Sequence, residues 1–153
     1  MKVQLVNPFF DAAAQIIAQE TNAAAARGSL RVEGNPCTTE DVTAVVGISG
    51  SVRGSMYLSM SRDTALALVS RMLGQPVADF DELAQSGIAE LANVIAGTAS
   101  TTLSTLGQEA TITPPLMLLG AGASISSLDL QRLVVEVQSC AGDIRVHVAF
   151  RSS

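Results

Sequence analysis

The longest helical pattern in the chain spans residues 79–106 and stops at Gly107, and whatever fold forms must give it a surface to lie on. Ile88, Leu91, Ala92, Ile95, Ala99, Thr102 and Leu106 fall on one side, which reads as the buried face. Ser86, Glu90 and Asn93 fall on the other side, within roughly 60° of one another at about 100° per residue. Gly97 and Ser104 continue that line.

The surrounding segments read as a second helical pair and a set of strands. Asn7-Pro8 marks a helix start, with Asn at the N-cap and Pro at the first helical position, where its missing N–H is harmless. Phe9, Ala12, Ala13, Ile16 and Ile17 then keep helical spacing to about Ala26, and Gly28 stops the helix. Residues 30–38 read as extended, with Gly34 and Pro36 marking a bulge or an irregular edge. Residues 42–49 and 55–60 form a hairpin across the turn 50–54. Ser61 caps a helix with Asp63 in its first turn, and residues 74–77 break it. Strands at 110–113 and 116–119 flank Pro114-Pro115, and a Gly/Ser-rich turn follows at 120–127. Residues 133–138 and 144–150 alternate about a turn at 141–143. The order predicts an α+β fold: one layered domain over residues 1–153, a mostly antiparallel sheet packed against long helices.

Composition narrows the function. Of 153 residues 48% are hydrophobic and 3% aromatic, with no Trp, so the core is aliphatic and no aromatic surface for sugars or bases is expected. The net charge is −5, and the cations are Lys2 and scattered arginines without a patch, which argues against a nucleic-acid partner. Residues 1–8 hold no apolar secretory segment and no run of 18 apolar residues occurs, so a cytoplasmic domain off the membrane is expected. Cys37 and Cys140 lack CxxC spacing and ligand neighbours, and read as buried free thiols.

Little else carries chemistry. His147 alternates within a strand and reads as a structural histidine rather than a catalyst. Gly47, Gly50 and Gly54 lack the Lys-Ser/Thr of a phosphate loop, and turn geometry accounts for them. Ser124, Ser126 and Ser127 belong to a loop. On pattern alone the Ser86-Glu90-Asn93 stripe is what any solvated helix face shows, although Asn in mid-helix is a modest choice on propensity.

A family resemblance gives that stripe a further meaning. Ser86, Glu90 and Asn93 match in spacing and identity the Asp/Ser-x-x-x-Glu-x-x-Asn motif of the CheC/CheX/FliY chemotaxis phosphatases, and Pro114 or Pro115 supplies the downstream proline. Glu90-Leu91-Ala92-Asn93-Val94-Ile95-Ala96-Gly97 resembles the core of the CheX branch. Ser70-Arg71-Met72-Leu73-Gly74, the hairpin from Gly47 to Ser55, and Asn7-Pro8-Phe9 extend the likeness along the chain in the expected order. The resemblance implies an aspartyl-phosphate phosphatase acting on a CheY-type response regulator. By resemblance Asn93 orients the attacking water, Glu90 pairs with the regulator's lysine, and Ser86 and Gly97 are small neighbours where the partner docks. It implies no cofactor of the chain's own, with Mg²⁺ and the phosphorylated Asp supplied by the regulator, and it implies a homodimer. Residues 11–19 carry no second Glu-x-x-Asn, so one site per chain is expected. The rival reading is a non-catalytic receiver-domain binding module, or a flagellar-switch scaffold related to FliY.

Overall fold

The computed structural model describes residues 3–34, 37–126 and 131–152. In chain order these form α1 (Val3–Thr21), β1 (Ala26–Arg27), β2 (Arg31–Glu33), β3 (Cys37–Thr38), β4 (Val42–Gly50), β5 (Val52–Met60), α2 (Arg62–Leu73), α3 (Glu82–Thr105), β6 (Ala110–Ile112), β7 (Leu116–Leu119), β8 (Ser124–Ile125), β9 (Arg132–Ser139) and β10 (Gly142–Ser152). Eight strands make one antiparallel sheet in the order β1-β9-β10-β5-β4-β6, with β2 also against β9 and β7 also against β4. β3 and β8 pair separately. This is the α+β arrangement expected from the sequence; Pro36 and Ser127 lie outside the described residues.

Strand alternation sends one set of side chains to the helices. Val42, Ala44, Val46 and Ile48 of β4, Met56, Leu58 and Met60 of β5, and Ile144, Val146 and Val148 of β10 are all buried. They share one apolar cluster with Phe9, Phe10 and Ile17 of α1, Leu68 and Val69 of α2, and Ile88, Ile95 and Ala99 of α3. Phe9 meets Phe150 edge-on at 5.3 Å between centroids. The three helices therefore cover one face of the sheet.

The first helix departs from the sequence expectation at both ends. It starts at Val3, so Pro8 sits inside it rather than at its first position. Burial of Leu5 and Val6 outweighs the one backbone bond that Pro8 cannot donate to the exposed Gln4. Asn7 is no cap: its Oδ1 accepts from Arg27 Nη2 at 2.7 Å. The helix also ends early, at Thr21, with Asn22 left-handed at φ 52°. The alanines that follow favour helix on propensity, but Ala26 and Arg27 pair with Gln138 and Val137 on the sheet edge. Arg27 also forms an ion pair with Asp11 at 2.8 Å, which ties β1 back to α1.

Elsewhere the differences are small. The β4–β5 turn is tighter than 50–54, because Val52 to Gly54 already belong to β5 and pair with β10. Gly50 takes φ +113° in that turn, but Gly54 is needed for a close approach, since a Cβ there would fall 1.7 Å from the Ala149 carbonyl oxygen. Ser61 caps α2 as expected, its Oγ accepting from Thr64 N–H at 3.1 Å, and Gly74 closes it in the left-handed region. Cys37 is buried, whereas Cys140 is exposed in the β9–β10 turn, against the expectation of two buried thiols; both are free. Among the described residues no helix is long and apolar enough to cross a membrane.

The other face of the sheet holds a buried polar cluster. Arg132 and His147 are each 3% exposed. Arg132 Nε donates to His147 Nδ1 at 3.1 Å, Nη2 to Glu33 at 2.9 Å and Nη1 to the Gly34 carbonyl at 3.0 Å. An acceptor Nδ1 requires the neutral imidazole with its proton on Nε2. Burial, reinforced by the Arg132 charge, pushes the His147 pKa down to about 4. This is the structural histidine expected from its strand position.

Between pH 6.5 and 4 the unfolded chain therefore binds a proton that the folded chain refuses, so stability falls as pH drops through that window. The size of the effect is roughly 3 kcal/mol. His147→Gln keeps an acceptor for Arg132 and removes the titration. Urea unfolding followed by circular dichroism should show the wild type losing stability relative to this variant from pH 7 to pH 4.5. Parallel profiles would contradict the assignment.

Candidate functional site

The orientation of α3 decides what the site contains. Asp81 caps the helix, accepting from Ala84 N–H at 2.9 Å, which places the start at Glu82 and not at Asp79. Ala84, Ile88, Leu91, Ala92, Ile95, Ala96, Ala99 and Leu103 are buried. Thr102 and Leu106, assigned to that face from the sequence, are exposed, while Ala96 and Leu103 take their place. The cause is that α3 is covered by α1 on one flank as well as by the sheet, so its buried arc is rotated and widened. Leu106 also lies past the last helical turn.

The polar stripe stays in reach of solvent. Ser86 and Glu90 are exposed; Asn93, nearer the edge of the buried arc, is half-buried. Neither the Glu90 carboxylate nor the Asn93 amide has a hydrogen-bond partner within the described residues. A mid-helix amide left unpaired at a half-buried position is available to a ligand.

The facing wall comes from the segment that joins β6 to β7. Ser86, Ala89, Glu90 and Asn93 line one side of an open groove of about 460 Å³, and Ile112, Thr113, Pro114 and Pro115 line the other. The structure thus brings together Ser86, Glu90, Asn93 and both prolines, which are far apart in sequence. A smaller hollow shares Ser86 and Ala89 and extends the groove toward Glu82, Gln85 and Met117. Gly97 lies outside the lining; a Cβ on it would sit 3.9 Å from Ile112 Cδ1, an ordinary contact. Ser104 bonds Glu109 instead, its Oγ donating at 3.1 Å. Ala89, Ile112 and Thr113 were not singled out from the sequence. Ala89 could have been, since it stands between Ser86 and Asn93 on the helix surface.

The prolines reach the groove through a register shift. β4 pairs with β6 as far as Ile48↔Ile112 and with β7 from Val45↔Leu116. Val46 and Gly47 on β4 therefore face Thr113, Pro114 and Pro115, a one-residue bulge of the kind that re-aims side chains at a sheet edge. Two prolines suit it, because neither has an N–H to lose from the ladder.

Among the described residues that line the two walls, Glu90 is the only charged one and none is basic. Among the described residues no group of three or more His, Cys, Asp or Glu could hold a metal ion. The described lining therefore offers a phosphate no counter-charge.

Comparison with known proteins agrees with this picture. The family model described as chemotaxis phosphatase CheX matches residues 42–138, which include both groove walls. The CheY-P phosphatase CheX of Thermotoga maritima is 35% identical over 127 residues, covering 78% of this chain and 81% of that protein. The crystal structure of a chemotaxis protein CheX from Desulfovibrio desulfuricans superposes with a TM-score of 0.87 at 25% identity, over 97% of this chain and 100% of the other. The CheX chain of the CheX–CheY–BeF3–Mg²⁺ complex from Borrelia burgdorferi matches with a TM-score of 0.85 at 28% identity, over 99% of this chain and 100% of that one. The chain belongs to the CheX family of chemotaxis phosphatases.

Proposed function

We propose that the chain hydrolyses the aspartyl phosphate of a CheY-type response regulator, with Asn93 as the water-orienting residue and Glu90 as the contact to the partner. The observation that carries this reading is the groove itself: an amide and a carboxylate one helical turn apart, both unpaired within the described residues, facing two prolines, with no cation among the described residues of the lining. The Thermotoga relative, a CheY-P phosphatase, and the Borrelia CheX–CheY complex support a receiver domain as partner.

The chemistry asks little of the catalyst. An acyl phosphate is already activated: water adds to phosphorus, the bond to the aspartyl oxygen breaks, and free carboxylate and inorganic phosphate result. The amide of Asn93 both accepts and donates hydrogen bonds, so it can hold the water in line with the leaving oxygen. Mg²⁺ belongs to the regulator in this reading, where it offsets the phosphoryl charge. Glu90 then meets a lysine of the partner, an ion pair that sets register as well as affinity. Ser86 lines the same wall and leaves room for the partner, while Gly97 takes part only beyond the groove's end. The reading includes a homodimer, for which sedimentation should give the mass of two 15.8 kDa chains; a single-chain mass would contradict it.

The test is phosphate release from a phosphorylated receiver domain. Wild type should exceed the regulator's own decay, and Asn93→Ala should lose on the order of 10²-fold of that stimulation with its circular dichroism unchanged. A normal rate in that variant removes Asn93 from the mechanism. Glu90→Gln should raise KM by about tenfold or more, because it leaves the partner's charge unpaired in the interface. Tight binding without acceleration by the wild type would favour the binding-module reading.

A further inference from the structure

We infer that Thr113, held by Gly47, is a positioning residue: it fixes the proline wall of the groove at the separation from Asn93 that the reaction requires. The inference rests on the phosphatase reading above.

Pro114 and Pro115 cannot donate backbone bonds to β4, so the ladder must break where they face it. A bulge lacking those bonds would be free to shift along the edge. Thr113 prevents this with two bonds to one residue. Its N–H donates to the Gly47 carbonyl at 2.9 Å, and its Oγ1 accepts from the Gly47 N–H at 2.8 Å. The side chain thus takes the place of a backbone carbonyl that the bulge has carried out of register.

Gly47 explains why such a side chain can lie across the strand. A Cβ at position 47 would stand 3.1 Å from both Cγ2 and Oγ1 of Thr113, too close without a shift. The sequence suggests a turn glycine at Gly47, yet it lies within β4 and its backbone has no positive φ. Close approach of Thr113 is the physical reason for the glycine. On the opposite flank, Ser100 Oγ donates to the Ala110 carbonyl at 2.7 Å, which ties β6 to α3 two turns beyond Asn93. The wall is therefore anchored to the sheet on one side and to the catalytic helix on the other.

Alignment explains why the anchor bears on rate. An error of about 1 Å in a bound geometry can cost on the order of 10²-fold in rate while the complex still forms. The Gly47–Thr113 bond is solvent-exposed, so water can replace it and the fold survives its loss. Thr113 does not touch the reacting atoms in this account; it acts through the prolines.

The experiment compares Thr113→Val, which keeps the shape and loses the acceptor, with Thr113→Ser, which keeps the acceptor. Stimulated phosphate release is measured against receiver concentration, with thermal melts as a folding control. Thr113→Val should lower kcat by about tenfold with KM within about twofold of wild type, and Thr113→Ser should return kcat to within about twofold. Equal turnover by wild type and Thr113→Val overturns the inference, as does a Thr113→Ser variant as slow as Thr113→Val. An inactive wild type overturns the phosphatase reading and this inference with it, whereas an active wild type beside an equally active Thr113→Val overturns the positioning role alone.

Discussion

Everything about the site follows from how tightly α3 is held in rotation. Its eight buried residues lie against the sheet and α1, and turning the helix by one residue's angle would expose Leu91 or drive Glu90 into the core. Burying a leucine or isoleucine is worth roughly 1.5–3 kcal/mol each, so this constraint far exceeds any preference of the polar stripe. Val69 of α2 reinforces it, standing 3.4 Å from where a Cβ on Gly87 would be. The direction of Glu90 and Asn93 is thus a by-product of core packing, and no local bond is spent on it. Within the described residues both side chains are left unpaired, which is what the proposed role in a partner's site requires.

The second half of the groove obeys a different logic. An antiparallel edge strand normally continues its ladder, and a flat edge invites pairing with other chains. Here two prolines and a bulge interrupt the edge and turn it toward the helix. The result is a cleft between a rigid helix and a stiff two-proline segment, whose two walls carry, among the described residues, the Glu90 carboxylate and no positive charge. In the function proposed above, the partner brings phosphate and cation together, and the groove adds alignment and an amide. The buried polar cluster of Arg132 and His147 lies on the face of the sheet opposite the helices.

Legibility in the sequence followed the range of the interactions. The α2 caps, Ser61 and Gly74, were readable because a cap is a local bond between near neighbours. So were the β9–β10 hairpin and the shared face of Ser86, Glu90 and Asn93, both of which are periodicities. The ends of α1 were not, because Leu5, Val6, Ala26 and Arg27 are decided by tertiary burial and sheet pairing that override Pro and Ala propensity. The rotation that buries Leu103 and exposes Thr102 depends on α1, which lies far away in sequence. Least visible was the bulge. Pro114-Pro115 announced a break, but which strand it faced, and that Gly47 makes room for Thr113, required the register of β4 with two separate strands. The family resemblance pointed to the prolines without saying how they are held.

The most direct measurement is a crystal structure of this chain bound to its receiver domain loaded with Mg²⁺ and beryllofluoride. The α3–proline groove is expected to cover the receiver's active site, with the Asn93 amide within hydrogen-bond reach of the position in line with the aspartyl oxygen and Glu90 against a lysine. A receiver docked on another face, with the groove left open to solvent, would contradict it.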